Sequence, residues 1–150
     1  AEIVERIIAA QNYLAAYLNV RQLSFGLTDM AWHTITEPFE GDVEQFEVAS
    51  MAPSLVLPVV PGTAMAPAFG HIFSGGYAAG YYGYKWAEVL EADAFSLFKE
   101  KGIFNREVSG SFRENILSKG GTEHPMELYV RFRGHKPETK ALIEKMGLGK

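Results

Sequence analysis

Apolar residues recur every three or four positions along most of this sequence, a spacing typical of helices that bury one face. The pattern extends from Ile3 to Thr34, with a break expected near residues 11–13 or at Asn19. It returns in shorter stretches over residues 82–101, 106–117, 124–133 and 137–146. Only residues 54–60 resemble a strand, and nothing there demands a sheet. The sequence therefore predicts an all-α, multi-helical fold.

The length and the loop signals bound the domain organisation. With 150 residues, of which 47% are hydrophobic, the chain can bury a core, so we expect a single helical domain over residues 1–150.

Asp42 followed by Gln45 is a capping signature that predicts a helix from Val43 to about Met51. Four prolines between residues 52 and 68 exclude a continuous helix there and favour a long ordered loop. Loops of this length in compact domains are usually functional.

Charge and hydropathy argue against two classes of partner. Residues 1–98 carry three cations and eleven acids, whereas residues 99–150 carry eleven cations and seven acids. A nucleic-acid module is expected to present a basic face, so no nucleic-acid partner is predicted. No run of 18 apolar residues occurs, so no membrane span is predicted either. Because the sequence opens on Ala1 in a helical pattern with no initiator Met, we expect it to be cut from a longer protein.

Few residues of the sequence suggest catalysis by themselves. There is no cysteine, which excludes thiol nucleophiles and thiolate zinc sites and fits a reducing compartment. The four histidines, at positions 33, 71, 124 and 135, lack the spacing of an HExxH zinc helix. Ser74 lies beside glycines without a GxSxG pattern and without an assignable base. We therefore predict no metal site made by this chain alone.

Residues 69–86 are the most unusual segment; they read FGHIFSGGYAAGYYGYKW, with five glycines and four tyrosines. The glycines at positions 75, 76, 80 and 83 permit positive φ angles and the close approach of a ligand. Tyr77, Tyr81 and Tyr84 are spaced i, i+4 and i+7, so they project on one side if the segment is helical. Their hydroxyls could then donate hydrogen bonds to a developing oxyanion. Tyrosines at this spacing also pack cores and interfaces, and the residues alone leave both interpretations open.

The same segment closely resembles the glycine- and tyrosine-rich substrate loop of the thimet oligopeptidase family of zinc metallopeptidases. The resemblance continues in colinear order through GIFNRE (102–107), FRENILSKGG (112–121), PMEL (125–128) and RFRG (131–134). Toward the start it includes NVRQL (19–23), residues 29–33 and PGT (61–63), so it covers nearly the whole chain. These stretches are most similar to the branch that contains bacterial oligopeptidase A and the peptidyl-dipeptidases.

This resemblance implies a predominantly helical fold with two lobes around a deep channel, and a zinc ion held by an HExxH helix and a downstream glutamate. None of those ligands matches a residue here, so we expect a C-terminal portion that lacks the zinc helix and is inactive alone. The parent enzyme would hydrolyse short peptides in the cytoplasm, as an oligopeptidase or a peptidyl-dipeptidase. Its partners would be those peptides and the remainder of the parent peptidase. The alternative is a non-catalytic helical scaffold or peptide-binding module.

By the same resemblance, His71, Tyr77 and Tyr84 face the substrate across the channel. Tyr84 is expected to hydrogen-bond the tetrahedral oxyanion opposite zinc, and His71 to bind the substrate backbone or assist the same charge. Tyr77 is expected to contact the peptide, and Tyr81 has a weaker claim to do so. Gly75 and Gly76 are expected to give the substrate loop the freedom to close on a peptide.

Overall fold

The computed structural model of the protein describes residues 2–149, and within that range the chain is helical with no β-strand. The helices are α1 (Glu2–Gln11), α2 (Ala15–His33), α3 (Val43–Met51), α4 (Gly70–Phe73), α5 (Gly83–Lys101), α6 (Arg106–Phe112), α7 (Pro125–Arg133) and α8 (Lys140–Lys145). The predicted all-α class is confirmed. The weak strand pattern at residues 54–60 forms an irregular loop instead.

The first helical pattern divides at one of the two positions expected from the sequence. α1 ends at Gln11, and Leu14 takes a left-handed conformation with φ 56° immediately before α2. The break near residues 11–13 is therefore confirmed. The alternative at Asn19 was wrong, because Asn19 lies inside α2 and its side chain donates to a main-chain carbonyl one turn earlier, at 2.8 Å.

Helix α3 begins where the capping signature predicts. The carboxylate of Asp42 accepts a hydrogen bond from the amide of Gln45 at 2.9 Å, which satisfies one of the free N–H groups of the first turn. Helix α3 also carries two carboxylates, Glu44 and Glu47, that point to the loop which follows. This orientation connects the helix to the proline-rich segment.

The proline-rich loop is ordered, as predicted, and has a short 3₁₀ turn at each end. Glu44 accepts from the amide of Gly62 at 2.9 Å. The buried carboxylate of Glu47 accepts from the amide of Met65 at 2.7 Å and from the amide of Ala66. Main-chain donors of the loop are thus satisfied by side chains of α3, which fixes the chain as it approaches α4.

The later helices also begin and end at local signals. α5 ends at Lys101 and is followed by Gly102 with φ 105°, and α7 is followed by Gly134 with φ 90°. The side chain of Asn105 caps α6 by accepting two main-chain hydrogen bonds. Residues 113–117 continue α6 as a π-helical turn. The helical patterns predicted after residue 105 are confirmed within a few residues.

The chain separates into two compact units, and the boundary between them falls within α5, after Lys85. The side chains of Ile72, Thr28 and Asp29 are almost fully buried in the first unit, so its interior contains a carboxylate. The core of the second unit contains Ala94, Val108, Tyr129 and Phe132. The expectation of one domain over the whole chain stays a prediction, because two compact units can still unfold together.

The second unit has a buried carboxylate of its own, Asp93. The hydroxyl of Tyr129 donates to its Oδ2 atom at 2.6 Å, and Arg133 Nε donates to its main-chain carbonyl at 3.0 Å. Burial, together with the hydrogen bond to Asp93, raises the pKa of Tyr129 well above its usual value of 10, so this phenol is neutral under ordinary conditions. Asp93 therefore has a packing and hydrogen-bonding role inside the second unit.

Candidate substrate loop

The glycine- and tyrosine-rich segment is a turn-rich loop rather than a continuous helix. Helix α4 is a single turn, and residues 74–82 then pass through successive turns until α5 begins. Tyr77 and Tyr81 lie in these turns, whereas Tyr84 lies in the first turn of α5. Tyr77, Tyr81 and Tyr84 therefore do not lie on one continuous helix, which was the condition under which their spacing would place them on one side.

The aromatic residues of the loop nevertheless lie together. The ring centroids of Tyr77 and Tyr84 are 4.9 Å apart, and those of Tyr81 and Tyr84 are 5.3 Å apart. The His71 ring lies 5.9 Å from the Tyr77 ring and 6.4 Å from the Tyr84 ring. All four aromatic site residues named from the sequence thus form one cluster, which we call the ring cluster (His71, Tyr77, Tyr81, Tyr84).

Two members of the ring cluster are partly exposed at the surface. Tyr77 is 39% exposed and Tyr84 is 42% exposed. Interaction with the Tyr77 side chain is the main reason why the pKa of Tyr84 lies above its usual value of 10. Tyr84 is therefore a neutral phenol at physiological pH, which is the form that can donate a hydrogen bond.

Tyr81 occupies a different environment from its two neighbours. Its hydroxyl donates to Gln22 Oε1 at 3.0 Å, and its ring meets Phe25 and Phe69 edge to face at centroid distances of 6.0 and 5.2 Å. Burial raises the pKa of Tyr81, and the nearby charge of Arg21 opposes that rise. Because its hydroxyl already has a partner, Tyr81 anchors the ring cluster to α2.

The two glycines at positions 75 and 76 have unequal surroundings. A β-carbon on Gly75 would lie 2.9 Å from the carbonyl oxygen of His71. The amide of Gly75 donates to the Gly70 carbonyl at 2.7 Å. A β-carbon on Gly76 would meet no atom within 4 Å. The main chain therefore passes so close to Gly75 that a side chain would not fit there, whereas Gly76 has open space around it.

The glycines of the loop do not use the positive φ angles that glycine permits. None of the glycines at positions 75, 76, 80 and 83 has a positive φ angle. The left-handed residue of the segment is Ala79, with φ 52°. An alanine in this conformation costs about 1–2 kcal/mol, so interactions elsewhere must hold the turn in place.

Those interactions come from Asp29, whose role the sequence did not reveal. Its fully buried carboxylate accepts from the amide of Ala79 at 2.9 Å through Oδ1 and from the amide of Tyr81 at 2.8 Å through Oδ2. His33 Nδ1 lies 2.8 Å from Oδ1. An acidic residue at a core position of a helix, four residues before a histidine, is the one sequence signal that could have indicated it.

The described residues offer no place for a metal ion or a membrane span. Within residues 2–149, no three His, Asp or Glu side chains come together as a group that could hold a metal. The histidine of the ring cluster has aromatic neighbours rather than carboxylates. The residues present therefore do not fit a zinc ion.

None of the helices in this range is both long enough and apolar enough to cross a bilayer.

Comparison with known proteins identifies the family. The family model described as peptidase family M3 matches residues 1–148, which is nearly the entire chain. The chain belongs to peptidase family M3, a family of metallopeptidases. The resemblance stated from residues 69–86 and the motifs around them is confirmed.

The similar proteins are all much longer than this chain. It is 48% identical over 148 residues to oligopeptidase A of Escherichia coli K12, and 39% identical over 153 residues to the probable cytosolic oligopeptidase A of Arabidopsis thaliana. It is 38% identical over 149 residues to the dipeptidyl carboxypeptidase of Escherichia coli K12. These alignments cover 97–98% of the chain but 22% of each relative, so the chain spans about a fifth of their length.

Proposed function

We propose that these 150 residues are the substrate-binding and oxyanion-stabilising part of a longer zinc metallopeptidase that hydrolyses short peptides. The observation that carries the proposal is the ring cluster, which gathers His71, Tyr77 and Tyr84 at the surface of a segment shared with peptidase family M3. The names of the relatives, oligopeptidase A and dipeptidyl carboxypeptidase, support short peptides as substrates.

The zinc ligands of this enzyme lie outside the 150 residues. Two observations support this: no group of metal ligands occurs among the described residues, and the chain spans 22% of its relatives. The chain alone is therefore inactive, and its partner in catalysis is the remainder of the parent peptidase. The name of the Arabidopsis thaliana relative supports a cytoplasmic location.

Tyr84 stabilises the negative charge that develops on the scissile carbonyl oxygen. Its phenol is neutral and partly exposed, and a hydrogen-bond donor aimed at a developing oxyanion lowers the barrier of acyl transfer. In the free protein the Tyr84 ring lies against the Tyr77 ring. A bound peptide would engage the Tyr84 hydroxyl, so that the donor acts on the substrate only when the substrate is present.

The other members of the site bind the peptide. His71 and Tyr77 contact the substrate backbone from the same face as Tyr84, because their rings lie within 6.4 Å of it. Tyr81 supports the other rings through its bond to Gln22. Gly75 and Gly76 keep side chains away from the peptide path and let the loop adjust.

The test begins with the gene around these 150 codons. We expect an upstream HExxH sequence on a predicted helix, followed by a further glutamate. The complete protein should cleave a fluorogenic short peptide, and the isolated chain should not. Adding the missing portion in trans should restore cleavage. An upstream sequence without these ligands, or a complete protein that binds peptides without cutting them, would favour a binding module and refute the proposal.

A further inference from the structure

The segment between Tyr77 and Tyr84 is fastened to α2 by one carboxylate. Asp29 lies one turn before the end of α2 and is fully buried. Each of its two oxygens accepts one main-chain hydrogen bond from the loop, from Ala79 at 2.9 Å and from Tyr81 at 2.8 Å. The two donors follow Asp29 by 50 and 52 residues in the sequence, so this contact joins distant parts of the chain.

The two donors are placed so that a single carboxylate can hold the turn. They are two residues apart, and the residue at the first of them, Ala79, is left-handed, which directs its amide toward the same acceptor. Tyr77 precedes this pair by two residues, and Tyr84 follows it by three. The bonded turn therefore sets the path of the chain between the two phenols.

The ring of His33 lies beside the carboxylate. His33 is one turn after Asp29 on α2; its Nδ1 atom is hydrogen-bonded to the main-chain carbonyl of Asp29 at 2.9 Å and lies 2.8 Å from Oδ1. A carbonyl oxygen only accepts hydrogen bonds, so the Nδ1 atom carries the hydrogen. The two loop amides are therefore the hydrogen-bond donors to the Asp29 carboxylate, and the His33 ring limits how far Oδ1 can move.

We infer that Asp29 is a positioning residue of the substrate loop, whose carboxylate holds Ala79 and Tyr81 so that Tyr84 meets Tyr77 and the scissile carbonyl. The inference rests on the proposed function of Tyr84. Asp29 does not touch the peptide, because it is fully buried beneath the loop. Asp29 affects catalysis by fixing the turn between Tyr77 and Tyr84, and so the positions of their two phenols.

The experiment compares Asp29→Asn with Asp93→Asn in the complete peptidase. Asparagine at position 29 keeps the shape of the side chain but replaces one acceptor oxygen by an NH₂ donor, which then faces a main-chain N–H. Asp93 is an equally buried carboxylate whose contacts lie in the second unit, so its substitution is a matched control.

In Asp29→Asn we expect kcat for a quenched fluorogenic peptide to fall about 10- to 100-fold, with KM nearly unchanged. Hydrogen exchange at the amides of Ala79 and Tyr81 should become faster. In Asp93→Asn, both kcat and this exchange should stay at the parent values although Tm falls. Combining Asp29→Asn with Tyr84→Phe should cost no more than Tyr84→Phe alone, because Asp29 acts through Tyr84.

The inference is overturned if folded Asp29→Asn keeps the parent exchange rates or the parent kcat, or if its effect multiplies with that of Tyr84→Phe. If Asp29→Asn does not fold, His33→Ala decides, since it removes the ring that lies beside Oδ1 and leaves the carboxylate freer to move. Faster exchange at Ala79 and Tyr81 then supports the inference, and unchanged exchange refutes it. A Tyr84→Phe enzyme with parent kcat would refute the proposed function, while the exchange rates would still report whether Asp29 holds the loop.

Discussion

The rings of Tyr77 and Tyr84 lie side by side, with their centroids 4.9 Å apart and an angle of 31° between their planes. One residue lies in a turn and the other in the first turn of α5. Tyr77 raises the pKa of Tyr84, so this partly exposed phenol is neutral and available to a substrate oxygen.

The first prediction concerns the hydroxyl of Tyr84. In the complete peptidase, Tyr84→Phe should lower kcat by about 10²-fold with little change in KM, because it removes a donor used mainly in the transition state. Tyr82→Phe is the matched control, since it deletes a hydroxyl from a neighbouring tyrosine that is 59% exposed. Steady-state kinetics on a quenched peptide measure both variants. Equal kcat values for the two would remove Tyr84 from the chemistry.

The second prediction concerns the titration of Tyr84. Interaction with Tyr77 is the largest cause of the raised pKa of Tyr84, so Tyr77→Phe should lower that pKa toward 10. The neutral phenol is the donor, and it is present below its pKa. Lowering the pKa therefore moves the alkaline loss of kcat to a lower pH.

Ultraviolet titration of tyrosinate in the isolated chain measures this shift. Subtracting the curve of Tyr84→Phe from that of the parent isolates Tyr84, and the same subtraction in the Tyr77→Phe background gives its pKa without the partner. Two identical difference curves would show that Tyr77 does not control the ionisation of Tyr84.

The third prediction separates the two adjacent glycines. Gly75→Ala should destabilise the chain by about 1–3 kcal/mol, because its β-carbon would lie 2.9 Å from the His71 carbonyl oxygen. Gly76→Ala should cost far less, since nothing lies within 4 Å of the added carbon. Urea unfolding of both variants provides the comparison. Similar losses at the two positions would mean that conformational freedom, rather than space, explains both glycines.

Local signals predicted most of the fold. The cap at Asp42 and the helix ends predicted at residues 101 and 133 depend on interactions within a few residues, and the structure has all three. The sequence also named every member of the ring cluster: its three tyrosines are conspicuous in a glycine-rich run, and His71 was named through the family resemblance. The family resemblance supplied their expected roles, which spacing alone could not.

The parts that the sequence did not predict depend on contacts between distant residues. The loop takes its turn because Asp29 accepts from amides about fifty residues further along the chain. Glu47 fixes the amide of Met65 in the same manner over 18 residues. No local pattern predicts a left-handed alanine at position 79, since the conformation is unfavourable without such bonds.

The last prediction tests the strain at Ala79. A left-handed alanine costs about 1–2 kcal/mol, whereas a glycine costs about 0.5–1 kcal/mol in the entropy of the unfolded chain. Ala79→Gly should therefore leave the free energy of unfolding unchanged or raise it by about 1 kcal/mol. Ala78→Gly is the matched control: its φ is negative, so it should lose about 0.4–1 kcal/mol. Urea unfolding of the isolated chain measures both. An Ala79→Gly variant as unstable as Ala78→Gly would show that the turn at Ala79 is not left-handed in solution.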